Sequence, residues 1–316
     1  MAEGKFRRNP NAPRRAVAMA DRIMTYINRG QEPVPLMEFV TSVRPDSKRN
    51  DMKKWLKFGH LMVDGTVTTA FDAPVEPGTE VKLNLSRPFP VFRHPRIQIV
   101  YEDDDVIVIN KGYGLLSVAA QNEKKEINAY DIVRNYIKEV NPRNKLFIVH
   151  RLDRDTSGLM MFAKSPEAQE TLRHNWNNMI LERLYVAVLE GYLDQDQGYV
   201  KSRLAENSQY VVYSTDNPDE GRIAVTHYKV LGRGNNHTLA QFSLDTGRKN
   251  QIRVHASDLG HPISGDKKYG AKHSPLHRLA LHAQTLRFAH PITRKDMYFE
   301  SPVPQKFRDI LRKQKI

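Results

Sequence analysis

The chain has no cysteine. That removes disulfides, thiolate nucleophiles and Cys-ligated zinc or iron–sulfur centres together. It also lacks any apolar run approaching the ~20 residues of a membrane-spanning helix. The opening residues, MAEGKFRRNPNAPRR, are basic with no apolar segment behind them, so no secretory signal is expected and the cytoplasm is the expected compartment. Acidic residues are in deficit: 36 Asp and Glu against 49 Lys and Arg leave a formal net charge of +13. Such a surplus reads either as a solvated basic surface or as an attraction for polyanions. No segment sets Trp or Phe against a lysine face as membrane-surface helices do. Nucleic acid is therefore the favoured partner, and no membrane partner is expected.

What is present is ordinary globular composition over 316 residues, 40% hydrophobic and 27% charged, enough for one large domain and a smaller one. Residues 1–30 read as a basic extension, a flexible arm followed by a short helix around 16–28. The arm reads equally as a disordered tail or as a phosphate-binding extension. Residues 31–86 read as a compact unit. Helical spacing runs over 35–43, and a basic helix follows Asp46-Ser47-Lys48 and ends at Gly59. A hairpin turns at Asp64-Gly65, and Pro77-Gly78 precedes a last strand over 80–85. Residues 87–96, with Pro88, Pro90 and Pro95, read as an extended linker. From 97 to 316 long strand patterns outnumber helical ones, with strands expected at 97–101, 106–109, 184–189, 224–231 and 238–244. Helices are expected at 128–140, 166–177 and 249–259. That balance predicts an α+β domain with a mixed, mostly antiparallel sheet.

Two stretches carry possible chemistry. In FIVHRLDRDTSGLMMFAKS, residues 147–165, two apolar runs enclose His150, Arg151, Asp153, Arg154 and Asp155. An aspartate in such a loop is most often a turn residue or a salt-bridge partner. Asp153 and Asp155 are too close in sequence to flank a sugar as a glycosidase pair does. In DTGRKNQIRVH, residues 245–255, a turn at Gly247 opens a helix bearing Arg248, Arg253 and His255. Alone it is only a basic helix start.

In order and spacing, HRLDRDTSGLMMFAKS, ERLYVAVLEG, RIAVTHYKVL and LDTGRKNQIRVHASDLGHPISGDKKYG resemble the motifs of pseudouridine synthases of the RluA family, over about residues 97–305. KKWLKFGHLMVDGTVTT and VEPGTEVKL resemble an S4-like RNA-binding domain, with Lys48, Arg49, Lys53, Lys54 and Lys57 as its basic, RNA-binding face. The first resemblance implies Asp153 as the catalytic aspartate, Tyr185 as the ring stacked on the target base, and Arg253 as the cation paired with the aspartate. Ile252 is implied as an apolar neighbour. Arg151, Thr156 and Arg248 are implied as substrate contacts framing the loop.

The implied reaction breaks a C1′–N1 bond of uridine and makes a C1′–C5 bond. It needs an ionised carboxylate, an aromatic face for the detached uracil and a proton acceptor at C5. The carboxylate either attacks C1′ or removes a sugar proton to give a glycal. The resemblance calls for no cofactor and no metal. The favoured substrate is 23S ribosomal RNA, with transfer RNA the second choice and a non-catalytic RNA-binding protein the rival from another class. A monomer is expected.

The chain departs from the family at Asn110-Lys111-Gly112-Tyr113-Gly114, where the usual proline is absent and Tyr113 has no assigned role. It departs again at Arg183 and Asn250, where Lys and His are usual. Six histidines between 255 and 290 suit RNA contact or a hydrogen-bonded core better than a metal. Their tightest pair, His273/His277, lies in a Pro-containing loop with no obvious third ligand.

Overall fold

The computed structural model describes residues 22–119 and 126–312. The chain packs as two units, Met1–Phe89 and Pro90–Ile316.

In the first unit the elements are β1 (Ile23–Ile27), β2 (Val34–Pro35), α1 (Leu36–Val43), α2 (Arg49–Lys57), β3 (Leu61–Val63), β4 (Thr66–Val67), β5 (Pro74–Val75) and β6 (Glu80–Asn84). A four-stranded antiparallel sheet runs β1-β6-β3-β4, and β2 pairs with β5. Leu36, Phe39 and Val40 of α1 meet Met52 and Leu56 of α2 over Leu61, Val81 and Leu83. The helix expected around 16–28 is corrected: residues 16–21 lie outside the described residues, and 23–27 form a strand registered against β6. IMTYI alternates between half-buried Met24 and Tyr26 and exposed Ile23 and Ile27, the two-residue period of a strand. The extension is thus shorter than thirty residues, since β1 belongs to this sheet. The expected linker also begins later than residue 87, because Phe89 is buried and its N–H binds the Gly59 carbonyl at 2.9 Å. Ser47 does not cap α2; it accepts from Arg44 instead, and α2 starts after Lys48 without a side-chain cap.

The second unit contains β7 (Ile97–Glu102), β8 (Val106–Lys111), α3 (Ala129–Val140), β9 (Phe147–Ile148), β10 (Ser157–Ala163), α4 (Pro166–His174), α5 (Trp176–Met179) and β11 (Ile180–Glu190). It continues with β12 (Gln197–Glu206), β13 (Val212–Thr215), β14 (Arg222–Gly234), β15 (His237–Leu244), α6 (Gln251–Asp258), β16 (Leu281–Ala289), β17 (Asp296–Glu300) and α7 (Gln305–Ile310). Eleven strands form one sheet in the order β13-β12-β14-β15-β11-β16-β10-β8-β7, with β17 on β16 and β9 on β10. All these strand pairs are antiparallel except β10 with β16. The expected α+β class with a mixed, mostly antiparallel sheet is what the fold shows.

β8 and β10 are covered on both faces, which is why they read as continuous apolar runs. Ile107, Ile109, Met160 and Phe162 face α3, while Val106, Val108, Leu159 and Met161 face α4. β9 is different: Ile148 is exposed, so only the second of the two apolar runs is a buried strand. The single helix expected over 166–177 breaks at Asn175, whose side chain bonds back to the Thr171 carbonyl. Ser165 does cap α4, accepting from the Ala168 N–H.

β10 and β16 meet over only two residue pairs, Ser157 with His282 and Gly158 with Ala283. Beyond them the strands diverge, and β10 continues along β8 while β16 continues along β17. The polar loop 149–156 feeds into β10 at this seam, between the two halves of the sheet.

Candidate active site

The loop before β10 is held from below. Leu152 is buried, and both its backbone groups are taken by Ser117, whose Oγ accepts from the Leu152 N–H at 3.1 Å and donates to its carbonyl at 2.7 Å. The Thr156 N–H closes a turn onto the Asp153 carbonyl at 3.2 Å. Lys111 is fully buried beneath it, and its Nζ donates to the carbonyls of Gly112, Leu115 and Arg154 at 2.8–3.0 Å. Three acceptors match the three donors of an ammonium. Burial pushes this lysine down to about 7, while Asp155 and Asp153 pull it back up. At the loop's end Ser157 Oγ binds His282 Nδ1 at 2.9 Å and accepts from Arg278 at 2.8 Å. Gly158 follows at φ +116, where a Cβ would stand 2.1 Å from the Ala283 carbonyl oxygen, so only glycine lets the two strands touch.

Asp153 is thereby presented upward, its side chain about a quarter exposed. Opposite lies Tyr185, where β11 is irregular between Leu184 and Tyr185, with Phe242 and Ala283 beside it in the sheet. Burial pushes the Tyr185 hydroxyl up; Arg183 draws it down and Asp153 adds to the rise. Arg253 reaches in from α6. Its Nη1 lies 3.4 Å from Asp153 Oδ2, but its shorter bonds go to Asp266, at 2.6 Å from Nε and 2.8 Å from Nη2. Asp266 is almost wholly buried, and Tyr269 places its ring 4.9 Å from the guanidinium. Although burial opposes the charge, Asp266 and Asp153 hold Arg253 above its ordinary value, so it is a fixed cation.

Asn250 opens α6 in a left-handed conformation (φ 54), and its side chain bridges Arg253 and the Tyr269 hydroxyl. Gln251 ties the preceding loop down, accepting from Thr246 and Arg248 and donating to Val225 and Thr226. The resulting cleft spans about 390 Å³ with its solvent-open mouth included, and is lined by Asp153, Tyr185 and Arg253, with Leu244, Ile252 and Leu281 as apolar surface and Arg151 and Arg248 among its walls. A carboxylate, an aromatic ring and a buried guanidinium around an apolar slot suit a planar, flipped ring held over a reactive anion.

Residues 105–258 match the family model described as RNA pseudouridylate synthase. Over 280 residues the chain is 34% identical to the RNA pseudouridine synthase YlyB of Bacillus subtilis, covering 87% of this chain and 92% of that protein. The chain belongs to the RNA pseudouridine synthases. This synthase is also 34% identical to the ribosomal large subunit pseudouridine synthase D of Pasteurella multocida, with 84% of this chain and 87% of that one aligned. Against the protein of the same name from Escherichia coli K12 the figures are 32%, 84% and 86%. Among solved structures, human RNA pseudouridylate synthase domain containing 4 superposes with a TM-score of 0.55 at 23% identity, over 67% of this chain and 91% of that one. That likeness concerns the fold. The family model and the named relatives agree with the RluA-type motifs of the sequence, and the synthase is an isomerase.

The candidate residues of the larger unit converge as follows. Asp153, Tyr185, Arg253, Ile252, Arg151, Thr156 and Arg248 all line one cleft. Thr156 and Ile252 are buried and Arg151 and Arg248 exposed. Arg248 precedes α6 rather than riding on it, and its Nε donates to the Ile223 carbonyl. Lys48, Arg49, Lys53, Lys54 and Lys57 are all exposed on the smaller unit.

Sequence reading passed over Lys111, Ser117, Asp266 and Arg278. Asp266 and Tyr269 stand in the quoted GDKKYG block, so their signal was present without a partner to give it meaning. Tyr113 acquires a neighbour, since the Arg278 guanidinium lies 4.3 Å from its ring centre. Four of the six histidines occupy hydrogen-bonded positions: His255 to Thr226 and Ser202, His261 to the Glu190 carbonyl, His282 to Ser157 and Ser301, and His290 to Asp103. Among the described residues no group of three His, Asp or Glu is placed to hold a metal ion.

Proposed function

We propose that this synthase converts specific uridines of 23S ribosomal RNA to pseudouridine, with Asp153 as the group that acts at the sugar. Asp153 attacks C1′ or removes a sugar proton; either route leaves uracil free to turn on the Tyr185 ring before C5 bonds to C1′. Tyr185 stacks on the base and serves the final proton step at C5. Arg253 pairs with the carboxylate and orients it. Arg151, Thr156, Ile252 and Arg248 frame the flipped nucleotide. The observation that carries this reading is the convergence of Asp153, Tyr185 and Arg253 on one half-buried cleft from three separate segments of chain. The substrate choice is supported by relatives whose names specify the ribosomal large subunit. Transfer RNA is the alternative substrate.

The smaller unit acts as an S4-like module that docks an RNA stem through Lys48, Arg49, Lys53, Lys54 and Lys57, and the protein works as a monomer in the cytoplasm. Two helices and a small sheet in that unit, with all five cations exposed, support the assignment.

The test is Asp153→Ala. Pseudouridine formation on total RNA from cells lacking the protein should vanish while RNA affinity stays within a few-fold. A wild-type protein that forms no pseudouridine on that RNA overturns the enzymatic reading and leaves an RNA-binding protein. Mapping pseudouridine in ribosomal and transfer RNA from the same cells decides the substrate. Replacing the five cations with Gln in the full chain should flatten the salt dependence of binding, and an unchanged slope removes the docking role.

A further inference from the structure

The candidate cleft adjoins a second, larger groove, about 1380 Å³ with its open side included, that shares Arg151, Asp153, Tyr185, Leu244 and Arg248 with it. One wall is the turn between α4 and α5, with Arg173, Trp176 and Asn177; the other is the loop 245–249. We propose that Arg173, Arg183 and Lys249, together with Arg151 and Arg248, form a track that holds the phosphates of the RNA strand on one side of the flipped uridine. This rests on the RNA-isomerase reading for the identity of the strand.

Five cations face the groove against two carboxylates, Asp153 and Asp245, and Asp245 is engaged by His227 at 2.9 Å. Lys249 also pairs with Glu206. Arg151, Arg173 and Arg183 form no ion pair with a carboxylate among the described residues. A lone surface arginine without a partner is unremarkable, but three turned into one groove beside a nucleotide site are not.

Arg183 is the best placed. Its guanidinium lies 5.8 Å from the Trp176 ring centre, and Trp176 is braced from elsewhere by the His150 ring at 5.3 Å. His150 Nε2 accepts the Met161 N–H at 2.9 Å, so this stack is anchored to β10. At Gly247 an added Cβ would stand 3.0 Å from Arg183 Nη1, so the bare backbone there gives the guanidinium room over the loop. Arg183 and Tyr185 stand two residues apart on β11, roughly 6–7 Å along the strand, and both line this groove. A base resting on Tyr185 therefore puts its own phosphate near Arg183, and guanidinium forks match phosphate oxygens. An open trough with cations along both walls suits a chain of phosphates rather than one small anion.

The experiment compares Arg183→Gln, Arg173→Gln and the double variant with Arg183→Lys and with Lys138→Gln, a change outside the groove. Each is measured by retention of total RNA from cells lacking the protein across a KCl series, and by the kcat and KM of pseudouridine formation on that RNA. Each Gln substitution should reduce the slope of log affinity against log salt by about 0.7, the double variant by about 1.4. KM should rise roughly tenfold per lost contact with kcat and thermal unfolding unchanged. Arg183→Lys should keep the slope, and Lys138→Gln should leave it alone. An unchanged slope in the double variant, an equal change in Lys138→Gln, or a fall in kcat at constant KM overturns the track. If the wild type forms no pseudouridine, the isomerase reading falls, while the retention series still judges the track.

Discussion

Arg253 is gripped by Asp266 before it is offered to Asp153: two bonds of 2.6 and 2.8 Å to the first, one of 3.4 Å to the second. The guanidinium is thus aimed by a carboxylate that has no exposure to substrate. Asp266→Asn keeps the shape but removes the charge that fixes the fork. Pseudouridine formation should fall by one to two orders of magnitude through kcat, and the fold should lose about 3 kcal/mol because a largely buried cation loses its partner. Denaturant unfolding and single-turnover rates check the two parts separately. An unaltered kcat would mean that Arg253 needs no such support.

Lys111 predicts an unusual pH response. Burial sets it near 7 instead of 10.5, so the unfolded chain holds this proton more tightly than the folded one. Between those values the group's contribution to stability rises with pH, by at most about 1.4 kcal/mol per unit, and below 7 it is flat. Lys111→Met removes that rise and leaves three carbonyls without a donor. Urea unfolding at about pH 6.5, 8 and 9.5 should show the gap between wild type and variant widening as pH increases.

His150 and His282 act at the other end. Burial lowers them from 6.5 to about 3 and about 4, so both stay neutral in the fold. The stability they contribute is complete above 6.5 and is lost as pH falls from there toward 4 and then 3, each by up to about 1.4 kcal/mol per unit. His150→Gln preserves an acceptor for the Met161 N–H without a titrating ring. The variant should unfold less steeply in acid than the wild type, as followed by circular dichroism.

Gly158→Ala should prevent the larger unit from folding. The new methyl would meet the Ala283 carbonyl at 2.1 Å, against backbone that cannot turn aside without parting β10 from β16. A loss above about 3 kcal/mol is expected, seen as insoluble expression or loss of the thermal transition. A well-folded variant would show that the seam is slack.

Much of the site was legible in the chain. The cluster around Asp153 stood out because five ionisable residues interrupt an apolar stretch, and the QIRVH turn because cations open a helix. β8 and β10 were readable because burial on both faces writes itself as unbroken apolar sequence. β12, β13 and β17 were missed, since one-sided or edge strands mix polar residues into the pattern; β16 was missed because its buried run carries His282, Gln284, Thr285 and Arg287 among the apolar residues and its partners lie far along the chain. β1 was misread for the same reason: five residues cannot declare a period when the strand that pairs with them is more than fifty positions away.

By itself the sequence determined the residue types that chemistry requires, the α+β balance and the family, because these depend on local order and spacing. Tertiary structure alone decided who holds whom. Lys111 reads as one more cation until the Arg154 carbonyl is seen above it, 43 positions on. Asp266 reads as a turn residue until Arg253 is brought against it, and Arg253 reads as the partner of Asp153 until the shorter bonds are measured. A side chain's charge is written in its codon, but its environment is made by segments that meet only after folding, and the environment fixes protonation, orientation and reach.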